Sequence, residues 1–261
     1  VPQVEVAAGD DRVALLFRHL APLTDADHAA LVGWCREQQF DCWLQPGNES
    51  TAHRVWPTEG DGMLAYRLDD FGVELRFHPH DFTQVNSSIN RQMVKLAVDL
   101  LDPQPADRVL DLFCGLGNFT LPLATRAGHV TGVEGSAEMV RRGSANVAHN
   151  RARGVALGET RFFAANLDED FTGAAWAREA WDLVLLDPPR SGALAVCQAI
   201  ERFGARRLVY VSCNPATLAR DAGELAARGY VLEKAGVMDM FPHTTHVESI
   251  ALFEKSTGRR R

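Results

Sequence analysis

From residue 108 onward, short apolar runs alternate with helix-like stretches, and this alternation narrows the architecture more than any other property of the chain. Arg108–Phe113, Val130–Glu134, Arg161–Ala165, Asp182–Asp187 and Leu208–Cys213 read as strands. Helical patterns lie between them, most clearly at 136–150 and 191–203. Such repetition predicts an α/β fold, a mainly parallel sheet with helices on both faces. Two closing strands are expected at Tyr230–Lys234 and Val247–Phe253. In open sheets of this type ligands bind outside the carboxyl ends of the strands. The residues that end each run are therefore the candidates for chemistry.

Upstream, residues 1–78 read as a small α/β domain, and 79–261 as the domain that holds the repeat. Val4–Ala8 and Val13–His19 flank Gly9-Asp10-Asp11, a hairpin signal. Thr24 with Asp27 three residues on marks a helix start leading into Ala29–Gln38. Cys42–Leu44 and Val73–Phe77 look like short strands. After a turn-like joint at His78-Pro79-His80-Asp81, the residues Ile89, Met93, Leu96, Ala97, Leu100 and Leu101 recur at helical spacing. Asp102-Pro103 stops that helix.

Composition sets few further bounds. Hydrophobic residues make up 46% and charged residues 23%, ordinary for a globular protein. No apolar run reaches transmembrane length, and Val-Pro-Gln-Val-Glu lacks the features of a signal peptide. The absent initial methionine predicts a fragment or a processed product. Five cysteines, at 35, 42, 114, 197 and 213, are widely spaced with no C-x-x-C pair. This argues against a disulfide scaffold or a metal site and suits the cytoplasm. A net charge of −7 argues mildly against nucleic acid as a partner. Basic residues are nonetheless grouped at Arg141-Arg142, Arg151 and Arg153, Arg206-Arg207 and Arg259-Arg260-Arg261.

The first strand of the repeat runs into Asp111-Leu112-Phe113-Cys114-Gly115-Leu116-Gly117-Asn118. A lone G-x-G turn is a weak signal, and Thr120 stands where a dinucleotide fingerprint has its third glycine. Asp111 before the turn and Glu134 at the end of the next strand frame an acidic pocket. It would repel a pyrophosphate, so a nicotinamide dinucleotide fits poorly. Glu134 suits a ribose diol, and a cationic sulfonium suits the acids. The pattern D-x-F-x-G-x-G followed by an acid resembles class I (Rossmann-like) methyltransferases, which implies S-adenosyl-methionine as cofactor. Asn166, after the third strand, is placed to read adenine.

The fourth strand ends in Asp187-Pro188-Pro189-Arg190. Amino-methyltransferases carry a similar Asp/Asn-Pro-Pro followed by an aromatic, and Arg190 removes that stack. The fifth ends in Ser212-Cys213-Asn214-Pro215. A thiol beside a helix N-terminus is expected to have a lowered pKa, although most free cysteines are small buried hydrophobes. Together with Phe241-Pro242-His243-Thr244-Thr245-His246-Val247-Glu248-Ser249 and Phe82-Thr83-Gln84-Val85-Asn86, these motifs closely resemble the RNA uracil-C5 methyltransferases over residues 80–255. The form of the motif at 239–244 is most like the bacterial branch that makes 5-methyluridine in 23S ribosomal RNA. That branch also carries an OB-type barrel and a [4Fe-4S] cluster on four cysteines, expected only in a full-length protein and not in this chain.

The resemblance implies Cys213 as the thiolate that adds to uracil C6 and Glu248 as the base that removes the C5 proton. By chemistry alone His243 and His246 are rivals for the base. It further implies that Gln84, Phe113, Asn118, Glu134, Asn166 and Asp187 contact the cofactor. Phe82 is either a stacking face for a splayed-out base or a core residue. An RNA substrate, no membrane and a monomer are expected. The alternatives are the same reaction on transfer RNA, cytosine-C5 methylation, or a non-catalytic RNA-binding assembly factor that keeps the fold.

Overall fold

The chain forms two compact units in this computed structural model, which describes residues 1–256. The terminal arginine group, 259–261, lies outside the described residues. One unit takes Val1–Arg67 and Glu74–Thr83, the other Leu68–Val73 and the chain from Gln84 on.

In the first unit β1 (Gln3–Ala8) and β2 (Val13–Arg18) pair antiparallel around the Gly9 turn. Helix α1 (Asp25–Glu37) starts earlier than its apolar positions suggest, because Thr24 and Asp27 cap it reciprocally. It returns the chain to β3 (Asp41–Gln45), parallel to β2. Strand β4 (His53–Trp56) closes the sheet antiparallel. Leu15, Phe17, Cys35, Cys42 and Leu44 pack between helix and sheet. Strands β5 (Leu64–Leu68) and β6 (Val73–Phe77) form a separate pair. Strands β4 and β5 go beyond those expected. They are short, and β5 alternates buried and half-buried residues.

The second unit begins with α2 (Ser87–Leu101), capped by the Asn86 side chain, which accepts from the Ile89 N–H (3.2 Å). It ends at Asp102 in the left-handed conformation (φ 50°). Next come β7 (Arg108–Leu112), α3 (Thr120–Ala124), β8 (His129–Glu134), α4 (Ala137–Ala152), β9 (Glu159–Ala164) and β10 (Leu183–Leu186). Then follow α5 (Leu194–Ala199), β11 (Arg207–Ser212), α6 (Pro215–Ala227), β12 (Tyr230–Met238) and β13 (Glu248–Lys255). The sheet order is β12-β13-β11-β10-β7-β8-β9. Strands β7 to β11 pair parallel, and β13 enters antiparallel between β11 and β12.

The chain first builds outward from β7 to β9, then returns beside β7 with β10 and builds the other way. The reversal leaves a crevice beyond the ends of β7 and β10, where such sheets bind ligands. Leu110, Leu112, Val184, Leu186, Phe203, Leu208, Tyr210 and Phe253 form a core below it. The helix expected over 191–203 is shorter and tightens into a 3-10 turn at Ile200–Phe203. Residues 191–193 stay out of it because Gly192 has φ 80° and the Ala193 N–H is bonded to Asp221. Among the described residues no helix is long and apolar enough to cross a membrane.

Candidate active site

The turn after β7 is built by backbone that only special residues tolerate. Phe113, Gly115 and Gly117 have φ of 65°, 54° and 100°. At Gly117 a Cβ would also lie 2.5 Å from Leu121. Glu134, at the end of β8, ties this turn down. Its Oε2 accepts from the Gly115 N–H (3.1 Å) and its Oε1 from the Ser136 N–H (2.9 Å). Asp111 is fully buried behind the turn. Its Oδ2 accepts from Thr120 Oγ1 at 2.5 Å, while Oδ1 has no partner. The residue at the place of a third glycine thus serves Asp111 instead. Burial pushes the Asp111 carboxyl up to about 7, against the Thr120 bond and with some help from Glu134.

Asn118 exchanges amide hydrogen bonds with Asn90 of α2 (2.9 and 3.1 Å). Asn90 was not foreseen. Its signal is a polar residue beside Met93, Val94 and Ala97 on the buried stripe of α2. Asn166, just past β9, donates to Glu169 (2.9 Å) and accepts from the Asp168 N–H (3.1 Å). Gln84 is half-buried, three residues before α2. Among the described residues neither side chain is hydrogen-bonded to Asp111 or Glu134. Phe113 packs half-buried at the margin of the core.

The second group lies across β10, β11 and β13. Asp187 follows β10, which is paired with β7 so that Leu186 faces Leu112. Burial first, then Glu248 and Asp111, push the Asp187 carboxyl up to about 8. Cys213 follows β11. The ladder between β11 and β13 runs to Ser212 opposite Ser249. Cys213 and Glu248 each stand one residue beyond that last pair, and the Glu248 charge acts on the thiol. Glu248 is 2% exposed, and its burial pushes its carboxyl up to about 7.

The Cys213 thiol departs from expectation. Asn214 does cap α6, accepting from the Ala216 N–H (3.2 Å), and Pro215 opens the helix. Yet the thiol is raised, not lowered. Burial dominates, Glu248 and Asp187 add to it, and the Arg190 guanidinium and then a backbone hydrogen bond pull it back. One helix end is outweighed by burial among acids. Arg190 donates to His246 Nδ1 at 3.2 Å, so His246 is engaged there, two residues ahead of Glu248. Phe241 meets the His246 ring edge-on at 5.9 Å. His243 sits in the same loop at φ 65°. Phe82 is 74% exposed, which removes its reading as a core residue.

Asp111, Glu134, Asp187 and Glu248 thus line one carboxyl edge. Three of them are held protonated toward neutral pH. Such a set is stabilised by a cation and hostile to phosphate.

Comparison with known proteins agrees with this arrangement. The 23S rRNA (uracil(1939)-C(5))-methyltransferase of Alcanivorax borkumensis is 61% identical over 98% of this chain and 56% of its own length. The enzyme of the same name from Hahella chejuensis is 54% identical over 98% of this chain and 57% of its own. The chain therefore spans little more than half of these relatives. A crystal structure of Pyrococcus abyssi tRNA (uracil-54, C5)-methyltransferase with S-adenosyl-L-homocysteine is 26% identical, with a TM-score of 0.72 over 95% of this chain and 58% of that one. The fold is that of the class I, Rossmann-like methyltransferases. A family model described as tRNA (Uracil-5-)-methyltransferase matches residues 64–256, three quarters of the chain, so the protein that carries this acid-lined edge and its cysteine belongs to that family.

Proposed function

We propose that this chain carries the catalytic part of an enzyme that methylates C5 of a uridine in 23S ribosomal RNA, with Cys213 as nucleophile and Glu248 as general base. The observation that supports the reading is the β11–β13 ladder, whose last pair, Ser212 and Ser249, adjoins Cys213 and Glu248 at the carboxyl edge. In this reading residues 1–78 are an accessory α/β domain and 79–261 the catalytic one. Ribosomal RNA is preferred over transfer RNA because the relatives above 50% identity carry the ribosomal name.

The residues fit S-adenosyl-methionine as cofactor. Asp111 leaves a buried carboxylate oxygen without a partner, and it shares the edge with Glu134 and Asp187. When bound, that molecule supplies a methyl group on a cationic sulfonium. Glu134, Asp187, Phe113, Asn118, Asn166 and Gln84 form its binding surface in this reading. Asp111 balances charge from beneath.

Uracil C5 is a poor nucleophile. Addition of the Cys213 thiolate at C6 makes C5 an enolate carbon, dividing one hard step into easier ones. Once C5 carries the methyl group, its remaining proton must leave before the thiolate can. Glu248 is suited to take it, because a base is most effective when its pKa lies near the working pH. Burial has brought Glu248 to about 7. The base must leave the RNA fold to reach this edge.

The test is RNA containing 5-fluorouridine, incubated with the full-length enzyme and cofactor. Fluorine cannot leave as a cation, so a covalent adduct at Cys213 should accumulate. An enzyme that methylates uridine yet forms no such adduct contradicts the reading.

A further inference from the structure

The helix that begins two residues after Cys213 does more than cap. Arg190, Ser191 and Ala193 are each bonded to α6 or its cap. Asn214 Nδ2 donates to the Arg190 carbonyl (3.0 Å), and the Thr217 hydroxyl lies 3.4 Å from the same oxygen and 3.0 Å from the Asn214 carbonyl, its two candidate acceptors. Arg220 Nη2 donates to the Ser191 carbonyl (2.8 Å). Asp221 Oδ2 accepts from the Ala193 N–H and from the Tyr210 hydroxyl, both at 2.7 Å. Arg220 Nε donates to Asp221 Oδ1 (2.8 Å). A Cβ on Gly192 would lie 2.6 Å from both Arg220 Nη2 and Asp221 Oδ2. The positions 214, 217, 220 and 221 share one face of the helix.

This is more than a loop needs to stay folded. It fixes the carbonyl of the residue whose guanidinium is the single cation acting on Cys213 among the groups that face it. That guanidinium also reaches His246, on the approach to Glu248. We propose that Arg220 and Asp221, with Thr217, are positioning residues for the reaction: they lock the Asp187–Ala193 loop onto α6 and so keep the Arg190 guanidinium in register with the Cys213 thiol. The catalytic part of this rests on Cys213 being the nucleophile. Asp221 is fully buried with three donors, while the Arg220 side chain is 42% exposed, so Arg220 can be changed without opening the core.

The groups around the thiol set the sign. Glu248 from β13 and Asp187 after β10 raise it, and Arg190 lowers it. Letting the loop drift weakens the one lowering charge, so the thiol should ionise at higher pH. Each unit of upward shift reduces the thiolate fraction about tenfold, and a more basic thiolate regains about a factor of three.

The experiment compares full-length wild type with Arg220→Met, Arg220→Lys, Thr217→Val and, as control, Glu224→Gln. Glu224 pairs with Arg228 and lies away from the loop. Two rates are followed against pH: alkylation of Cys213 by iodoacetamide, mapped by peptide mass spectrometry, and adduct formation with 5-fluorouridine RNA. Melting temperatures accompany both. Arg220→Met and Thr217→Val should shift both midpoints upward. Both rates should fall about three- to tenfold near pH 7.5 and recover toward wild type at high pH. Arg220→Lys should restore part of the shift, and Glu224→Gln should leave the midpoints in place. Unchanged midpoints overturn the proposal, as does a loss that is equal at every pH and follows melting temperature. If alkylation shifts while wild type forms no adduct, the latch stands and the uracil reading falls. If the adduct forms normally in every variant, the latch falls and the uracil reading stands.

Discussion

Cys213, the proposed nucleophile, is placed among acids. Its thiol is raised by burial, Glu248 and Asp187, and Glu248 itself sits at about 7. Both groups must lose a proton before they act. Methyl transfer should therefore climb with pH to above neutrality, following the thiol, and release should climb through about 7, following Glu248, both measured as single-turnover rates between pH 6 and 9. The two side chains divide the reaction, so their variants should differ in kind. Cys213→Ala should abolish transfer. Glu248→Gln should let transfer proceed and block release, leaving protein–RNA conjugate on a denaturing gel even with ordinary uridine. Turnover should then fall about 10²–10⁴-fold, the usual worth of a positioned base. A Glu248→Gln enzyme that turns over freely would assign the proton to another group.

Between strands and helices the tolerances are small and of opposite sign at neighbouring glycines. Gly143 of α4 and Gly132 of β8 both abut Phe162, where a Cβ would come within 2.6 and 2.8 Å of the ring. The close helix–sheet contact that a third glycine provides in dinucleotide folds is made here one helix later. Gly143→Ala should cost about 1–3 kcal/mol by overpacking. Gly223, exposed in α6 with nothing within 4 Å of its would-be Cβ, is the reverse case. Gly223→Ala should stabilise by about 0.4–1 kcal/mol, since the helix conformation suits alanine. Urea titration of both variants checks the signs. Elements with a strong period were legible in the sequence: α2, the five parallel strands and the cap at Thr24 all stand where patterning put them. Strands β4 and β5 were not, because runs of four or five residues are too short for a period to stand out. The start of α5 was misread because a distant carboxylate, Asp221, overrides local helix propensity. The candidates Glu134, Asp187 and Cys213 do stand at the strand ends where patterning put them. Asn90, Thr120 and Asp221 were not legible, since each is defined by a contact across the fold. The direction of the Cys213 shift was hidden for the same reason: the helix start is local, but the acids that outweigh it come from β10 and β13.

The second unit as a whole stores unfavourable charge at one edge. Asp111, Asp187 and Glu248 all hold their protons to about 7 or 8 when folded. Their stabilising share is complete below the ordinary carboxylate range and is lost as pH rises through those values. The melting temperature of the ligand-free protein should drop between pH 6 and 8.5. S-adenosyl-methionine should bind more tightly at the upper end, where the acids are ionised, and calorimetry at the two pH values checks this. A melting temperature that rises over this range would contradict the raised carboxyls. The antiparallel entry of β13 has one more consequence. Every other acid of the edge closes a strand, whereas Glu248 opens one, and it lies after all of them in the chain. A chain cut after β12 would carry Asp111, Glu134, Asp187 and Cys213 but not Glu248. In the proposed roles it would keep the nucleophile and lose the group that frees the product.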